Sequence, residues 1–289
     1  MVTMHLLAEN PPKKRRMRLI NQRPSRGEKI VLGALPFMLL IAAYLIGSNM
    51  RLAANPDDKL LPSLAQMGAA IWRMAFQPDQ RSGDYLLWSD SYASLWRLFS
   101  GIGIATALAL VFGIPTGLIP RARATLAPFV AAASLIPPIT VLPILFIVFG
   151  LDEASKVALI VVGTAPVLIR AVAQAVVEIP QEQIVKGLTL GASTWQMIVR
   201  VVLPQIMPKL ITCVRLSLGP AWIFLISAEA IASTGGLGYR IFLVRRYLSM
   251  DVILPYVVWI TLIAFLLDRL LFLYSKRRYA WAHLAGEAL

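Results

Sequence analysis

The sequence alternates between long apolar runs and shorter polar segments, a pattern typical of a chain that crosses a membrane several times. A spanning helix needs about 20 mostly apolar residues. The runs that meet this requirement cover residues 30–48, 93–119, 124–150, 154–179, 211–232 and 252–275. None of them alternates apolar and polar residues in the series that a membrane β-barrel requires. The pattern therefore predicts an all-α polytopic membrane protein with six transmembrane helices.

The polar segment 49–92, between the first two spans, is long enough to contain an element of its own. Apolar residues recur at helical spacing over 60–76, and Pro62 with Ser63 resembles a helix start in which proline occupies the first turn. We predict a helix that lies on the outer membrane surface, with packing against the bundle as the alternative.

A second polar segment, 178–208, separates the fourth span from the fifth. Its first half is predicted to form a helix that ends at Gly191, because glycine often follows the last helical turn. Ser193, followed three residues later by Gln196, forms a capping-box pattern that starts another helix. Pro204 is predicted to stop that helix. The segment is therefore either a docking element for a cytoplasmic partner or a hairpin that only caps the bundle.

Composition strengthens the membrane assignment. Hydrophobic residues make up 58% of the chain, charged residues make up 15%, and the mean hydropathy is +0.70, whereas soluble domains are nearer 45–50% apolar. The net charge is +13. We attribute this excess to basic residues in cytoplasmic segments, which set the orientation of membrane proteins, and we predict no nucleic-acid partner.

Basic residues also predict the orientation of the chain. The segment 1–29 is strongly basic and is interpreted as a cytoplasmic tail, so that six spans return residues 276–289 to the cytoplasm. One outside loop disagrees with this assignment because it contains Arg240, Arg245 and Arg246. These three arginines need another explanation.

Motifs for catalysis are missing from the sequence. It contains no Gly-x-x-x-x-Gly-Lys-Ser/Thr loop for ATP, no Gly-x-Ser-x-Gly nucleophile elbow and no His-Glu-x-x-His zinc motif. Cys213 is the single cysteine, and His5 and His283 lie near opposite termini, which excludes an intrachain disulfide and a cysteine metal cluster. We predict neither a catalytic residue nor a metal or other cofactor in this chain.

The third and fourth spans contain residues that are costly in lipid. Pro137 and Pro138 interrupt the third span, and adjacent prolines are tolerated only where neighbouring helices or a cavity satisfy the freed carbonyls. They predict either a packed kink or a break that lines a solute path, where Thr140 would supply a hydroxyl. Arg170, well inside the fourth span, is expected to face protein or water.

The fifth span contains further candidates for a path or gate, namely Trp222, Ser227 and Glu229. Glu229 lies near the outer end of this span and needs a partner, for which we expect an arginine of the following outer loop. The other interpretation of Glu229 is a gate or a contact with a cationic solute. Arg97, near the end of the second span, is interpreted as an anchor at the membrane interface.

The segments 191–195 and 201–204 resemble the cytoplasmic Glu-Ala-Ala loop of binding-protein-dependent ABC importer permeases. The sequence keeps the family spacing between Gly191 and the Leu-Pro pair, with Val201 in place of isoleucine. It departs from the family at 185–187, where Val-Lys-Gly replaces Glu-Ala-Ala. By this resemblance the loop that docks the ATPase contains Gly187, Leu190, Gly191, Ala192, Ser193, Thr194, Trp195, Leu203 and Pro204.

Further segments extend the resemblance over residues 93–275. Residues 94–101 resemble the start of the permease core. Residues 215–239 are similar to the branch of the family that imports nitrate, sulfonates and taurine. Residues 241–256 are similar to permeases encoded near urea carboxylase, which are linked to urea- or guanidine-type nitrogen compounds.

The resemblance implies a type I ABC importer permease fold with a cytoplasmic coupling helix, in the bacterial inner membrane. The implied partners are a pair of ABC ATPase subunits, a second permease copy, membrane lipid, and a periplasmic or lipid-anchored solute-binding protein that docks on Arg240, Arg245 and Arg246. ATP-driven alternating access would carry a small polar solute of one of the two classes above. The alternatives are an ion-coupled secondary transporter and a membrane scaffold without transport.

Overall fold

The computed structural model describes residues 24–55, 58–80 and 82–283, and every regular element in these ranges is helical. Most of the basic segment 1–29 and the last residues, 284–289, lie outside the described residues. The helices, in chain order, are α1 (Arg26–Ala54), α2 (Leu64–Phe76), α3 (Leu86–Leu118), α4 (Pro120–Ala133), α5 (Pro138–Phe149), α6 (Glu153–Val177), α7 (Gln181–Thr189), α8 (Thr194–Met197), α9 (Leu203–Ile231), α10 (Leu237–Arg245), α11 (Met250–Arg278) and α12 (Ala280–His283).

The described residues contain five helical stretches that are long and apolar enough to cross a membrane, and a sixth span results if the bent pair α4 and α5 is counted as one. This pair is bent by 97°. Pro137 caps the start of α5 and Pro138 follows in its first turn, where a missing N–H costs no hydrogen bond. The all-α prediction with six spans is confirmed, and the third span is broken at its two prolines.

α3, α6 and α9 pack together at the centre of the bundle. A small residue lets α3 approach α6 closely, because a Cβ added at Gly117 would lie 2.5 Å from the Cβ of Val176. Small residues have the same role in other membrane bundles. Each central helix also contributes a fully buried leucine, namely Leu98, Leu168 and Leu225.

Different short helices lie at the two ends of the bundle. α7 and α8 lie at one end, which we call the hairpin end. α2 and α10 lie at the opposite end, which we call the α10 end, because α9 crosses the bundle between α8 and α10.

α1 stands apart from the rest of the chain. The apolar window of this helix is 0% buried. Its attachments to its own chain include two hydrogen bonds at the α10 end, from the Tyr44 hydroxyl to the Pro62 carbonyl at 2.6 Å and from the Ser48 hydroxyl to the Leu61 carbonyl at 3.0 Å. The remaining surface of α1 is open to lipid or to another chain.

α2 is the helix predicted between the first two spans, and it packs against the bundle. Its capping box is formed by Ser63 and Gln66, so Pro62 precedes the helix and does not occupy its first turn, contrary to the prediction. Met74 is buried against α3 and α11, whereas Trp72 on the other face is exposed. The alternative of packing against the bundle therefore describes α2 better than a helix that only lies on the membrane surface.

Candidate functional site

The segment 178–208 folds as two helices joined by a tight turn. We call α7, the turn 190–193 and α8 the coupling hairpin. Gly191 has a φ of +81°, a left-handed conformation that favours glycine, and it follows the end of α7. The predicted capping box is present, because the Ser193 hydroxyl accepts from the backbone N–H of Gln196 at 3.3 Å and the Gln196 side chain accepts from the N–H of Ser193 at 2.9 Å.

The tip of the coupling hairpin projects from the bundle. No residue of α7 is buried, and Leu190 and Trp195 are 81% and 71% exposed. Gly187 has a different role, because a Cβ at this position would lie 2.4 Å from the sulfur of the buried Met197. Gly187 therefore holds α7 against α8, while residues 190–195 are free to meet another protein.

Pro204 does not stop the second helix of the hairpin, and that prediction is wrong. α8 continues through the π-helical turn Ile198–Val202 into α9, which gives the single helical stretch Thr194–Ile231. In this turn the N–H of Leu203 donates to the Ile198 carbonyl, five residues back, so the turn is wider than an α-helical one. The wider turn accommodates the Pro204 ring, which would clash in a regular α-helix.

A polar cluster lies at the α10 end, where the ends of five helices meet. It contains Asp90, Ser94 and Arg97 of α3, Glu153 and Lys156 of α6, Glu229 of α9, Arg240 of α10 and Tyr256 of α11. The three acids are ion-paired with the three bases. The cluster is therefore electrically balanced within the chain.

Arg97 is the centre of the polar cluster and does not act as an interfacial anchor, contrary to the prediction. This residue is 4% exposed. Its Nη1 donates to Glu229 at 2.6 Å and to the Gly235 carbonyl at 2.8 Å, and its Nη2 donates to Glu153 at 2.8 Å. Arg97 therefore joins α3 to α6, to α9 and to the loop before α10.

Glu229 is fully buried, and its carboxylate accepts hydrogen bonds from three residues. It accepts from Arg97, from the Ser94 hydroxyl at 2.8 Å and from the backbone N–H of Gly238 at 2.8 Å. The expectation of an outer-loop arginine as its partner is wrong. A buried carboxylate needs this degree of pairing to stay charged, and no oxygen of Glu229 is left open to a solute.

Arg240 also forms an ion pair within the chain, with Asp90. Its Nε donates to Asp90 at 2.8 Å, and the Tyr256 hydroxyl donates to the same carboxylate at 3.2 Å. Burial lowers the pKa of Arg240, but the hydrogen bond to Asp90 raises this pKa above its ordinary value, so the guanidinium stays charged. Of the three outer arginines, Arg245 and Arg246 remain exposed.

The other candidates for a solute path are divided between the core and the surface. Pro137 and Thr140 are exposed at the break before α5, and the Thr140 hydroxyl donates to the Pro137 carbonyl at 2.7 Å. The Ser227 hydroxyl donates to the Ile223 carbonyl at 2.8 Å. Trp222 is buried in the core, and its indole N–H has no acceptor among the described residues. The structure therefore does not bring these candidates together in one open path.

The family of this chain follows from its sequence and agrees with this geometry. Residues 101–278 match the family of binding-protein-dependent transport system inner membrane components, and this range contains the coupling hairpin, Glu229 and α10. The chain belongs to this family. It is a membrane-spanning permease subunit of an ABC importer, whose ATP hydrolysis occurs on a separate subunit.

Individual relatives agree with the family assignment. The taurine transport system permease protein TauC of Escherichia coli is 36% identical over 199 residues, which are 68% of this chain and 72% of that protein. The bicarbonate transport system permease protein CmpB of Synechococcus elongatus is 31% identical over 188 residues, which are 64% of this chain and 66% of that protein. Among solved structures, an inward-facing MetNI methionine ABC transporter is similar in fold, with a TM-score of 0.50 and 22% identity, over 66% of this chain and 91% of that chain.

Proposed function

We propose that the coupling hairpin docks this permease on its ATPase subunits and that the hairpin end faces the cytoplasm. The observation that carries this proposal is the exposed tip 190–195, which begins a helix that continues without interruption to Ile231. Because Glu-Ala-Ala is replaced at 185–187, the turn around Gly191 and Trp195 is the main contact.

The continuous helix connects the docking tip to the polar cluster. Trp195 and Glu229 are about 50 Å apart along this helix, and Glu229 holds the first turn of α10 by accepting from the N–H of Gly238. A displacement of the tip by closing ATPase subunits would therefore be carried to the α10 end. This connection is a physical route for ATP-driven alternating access.

A second permease copy is proposed as the partner of α1. This helix leaves its apolar window unburied in its own chain, and a neighbouring permease would give it a protein surface to contact. We propose a homodimer, in which lipid covers the apolar surface that remains.

The α10 end is proposed to face the periplasm of a bacterial inner membrane and to receive a periplasmic or lipid-anchored solute-binding protein. Arg240 is bonded to Asp90, so the docking charges are those of Arg245 and Arg246. α1 begins and α11 ends toward the hairpin end, because α1 reaches α2 with its C-terminal end and α11 begins after α10. With this orientation both termini are cytoplasmic.

The solute is proposed to carry an anionic oxygen group. The relatives reported above are named for taurine, which has a sulfonate group, and for bicarbonate. Two sequence arguments favoured urea- or guanidine-type compounds: the similarity of residues 241–256 to permeases encoded near urea carboxylase, and Glu229 as a free acid near the outer gate. The second argument is removed because Glu229 is fully buried and paired with Arg97.

Two exposed tryptophans at opposite ends of the bundle test the docking proposal. Trp195 is 71% exposed and Trp72 is 61% exposed. We expect Trp195→Ala to lower the amount of ATPase that co-purifies with tagged permease by about tenfold or more, because aromatic anchors contribute roughly 2 kcal/mol or more to interfaces. Trp72→Ala is the matched control and leaves co-purification unchanged.

The same preparations are then reconstituted into proteoliposomes for uptake. Trp195→Ala should lose ATP-driven uptake together with the ATPase, and Trp72→Ala should keep both. Full ATPase recovery with Trp195→Ala would place docking elsewhere. Uptake by the purified permease without ATPase subunits would overturn the importer function itself.

A further inference from the structure

Arg170 of α6 is an intramembrane cation that none of the contacts above uses. It lies about 10 Å along the helix from the end of α6. Arg170 is exposed, and its Nη1 donates to the Ser134 hydroxyl at 2.9 Å. A guanidinium at this depth is costly in lipid. Its exposed face therefore needs water or another polar group in front of it.

Arg123, near the start of α4, is the second cation in this region. Its Nε donates to the Thr116 carbonyl at 3.1 Å and its Nη2 donates to the Gly117 carbonyl at 2.5 Å. These carbonyls orient the guanidinium but do not neutralise it. Among the described residues, no carboxylate forms an ion pair with Arg123 or Arg170, whereas the polar cluster is fully balanced.

The two arginines line one cavity of about 370 Å³ between α4, α6 and the end of α3. The rest of its lining is mainly small and apolar and includes Ala127, Ala131 and Ala173. Small side chains leave space in front of the guanidinium groups, so these groups determine which ligand the cavity favours.

The cavity adjoins the break in the third span. Ser134, which accepts the hydrogen bond from Arg170, is the C-cap residue of α4. The break begins directly after it and leads to Pro137 and α5. The sequence predicted that Pro137 and Pro138 form either a packed kink or a break that lines a solute path. Arg170 is hydrogen-bonded to the edge of this break on the side of the hairpin end.

We propose that Arg170 and Arg123 form a binding site for a small oxyanion in the half of the membrane nearest to the hairpin end. Planar guanidinium groups bind carboxylate, sulfonate or phosphate oxygens with paired hydrogen bonds. The site rests on the proposed import function, in which the solute leaves through this half of the membrane. It adds a place and a chemical basis for the selection of anions inside the permease.

The local potential of the cavity is measured with a thiol placed beside Arg170. Ala173→Cys is introduced in a Cys213→Ser background, in the complete transporter with its ATPase and binding protein. The rate of modification is measured with sulfonatoethyl methanethiosulfonate, an anion, and with trimethylammonioethyl methanethiosulfonate, a cation. The ratio of the two rates reports the charge that an entering solute meets.

Ala173 follows Arg170 by three residues on the same helix, so their side chains are about 6 Å apart. We expect Arg170→Gln to lower the ratio of anion to cation rates by about tenfold, because a unit charge at this distance favours the anion and disfavours the cation even at the dielectric constant of water. Arg121→Gln is the matched control, since Arg121 is an exposed arginine of α4 that does not line the cavity. A ratio that is unchanged by Arg170→Gln would overturn the proposal.

Competition with small solutes identifies the ligand. Methanesulfonate and nitrate should slow the anionic reagent at least threefold, with urea and guanidinium as comparators at constant ionic strength, and Arg170→Gln should abolish this protection. Equal protection by guanidinium would overturn an anion site. In lipid-free detergent, protection by phosphatidylglycerol but not by methanesulfonate would assign the site to a lipid phosphate and overturn its role for a solute.

The proposed function is tested separately by measuring uptake in proteoliposomes that contain the same complete transporter. ATP-driven uptake that depends on the binding protein supports the importer, whatever the thiol rates show. If uptake is normal and the rate ratio does not depend on Arg170, only the anion site fails. If no ATP-driven uptake occurs with all partners present, the proposed function fails.

Discussion

Glu229 and Glu178 are both paired with a basic side chain, and burial separates them. Glu229 is fully buried with Arg97, whereas Glu178 and Lys209 are about half exposed. We expect Glu229→Gln to destabilise the permease by roughly 1–3 kcal/mol, because Arg97 stays buried with a weaker acceptor. The measurement is the Tm of the purified protein. Glu178→Gln is the control and leaves Tm unchanged, since exposed ion pairs contribute little; equal Tm values for both variants would contradict a structural role of the polar cluster.

The sequence predicted that Glu229 needs a partner, but the partner that it suggested, an arginine of the outer loop, was wrong. The outer-loop arginines are near Glu229 in sequence, whereas Arg97 lies 132 residues away and reaches it only through the packing of α3 against α9. One signal was available, because Asp90, Ser94 and Arg97 recur at helical spacing on one face of α3. A polar face on a membrane helix indicates an internal contact, but the identity of the contact depends on tertiary structure.

The turn of the coupling hairpin depends on the conformation of one glycine. Gly191 has a φ of +81°, which costs a residue with a Cβ about 1–2 kcal/mol. We expect Gly191→Ala to weaken ATPase binding by roughly five- to thirtyfold, measured as the affinity of the purified ATPase for permease in nanodiscs. Gly68→Ala in α2, an exposed helical glycine with open space around it, is the control. Unchanged affinity with Gly191→Ala would mean that this turn does not set the docking geometry.

Proline had opposite consequences in two elements, and the sequence predicted only one of them. Pro137 and Pro138 break the third span as expected, because α4 ends before them and α5 begins at them. Pro204 looks equally disruptive in the sequence, but the π-helical turn before it opens the helix enough to include the ring. Since π turns have no reliable sequence signature, the continuity of the hairpin with α9 could not be predicted.

The number of spans and their order could be predicted for the whole molecule, because runs of about 20 apolar residues are long enough to identify without tertiary information. The side that each helix turns toward its neighbours could not. α1 buries none of its apolar window in this chain, and Trp222 was expected on a path but lies in the core. Lipid, a second copy and a solute path all accept apolar side chains, so hydropathy does not distinguish them.

Rigid coupling between the two ends of the molecule has a measurable consequence. Spin labels are placed on Cys213→Ser permease at Leu190→Cys, in the hairpin, or at Tyr247→Cys, near α10, both of which are largely exposed. When ATP closes the ATPase subunits, we expect the distance between the two Leu190 labels of the proposed homodimer to shorten and that between the two Tyr247 labels to lengthen, because one continuous helix connects the ends. Pulsed electron paramagnetic resonance measures both distances.

The signs of the two distance changes show whether the hairpin end and the α10 end move as one rigid unit or move independently. Opposite signs require that movement of the hairpin is carried through α9 to the polar cluster, where Arg97 and Glu229 tie this helix to α3 and α6. A change at the hairpin alone would mean that the π-helical turn Ile198–Val202 absorbs the movement. The permease without ATPase subunits is the control, and ATP should change neither distance in it.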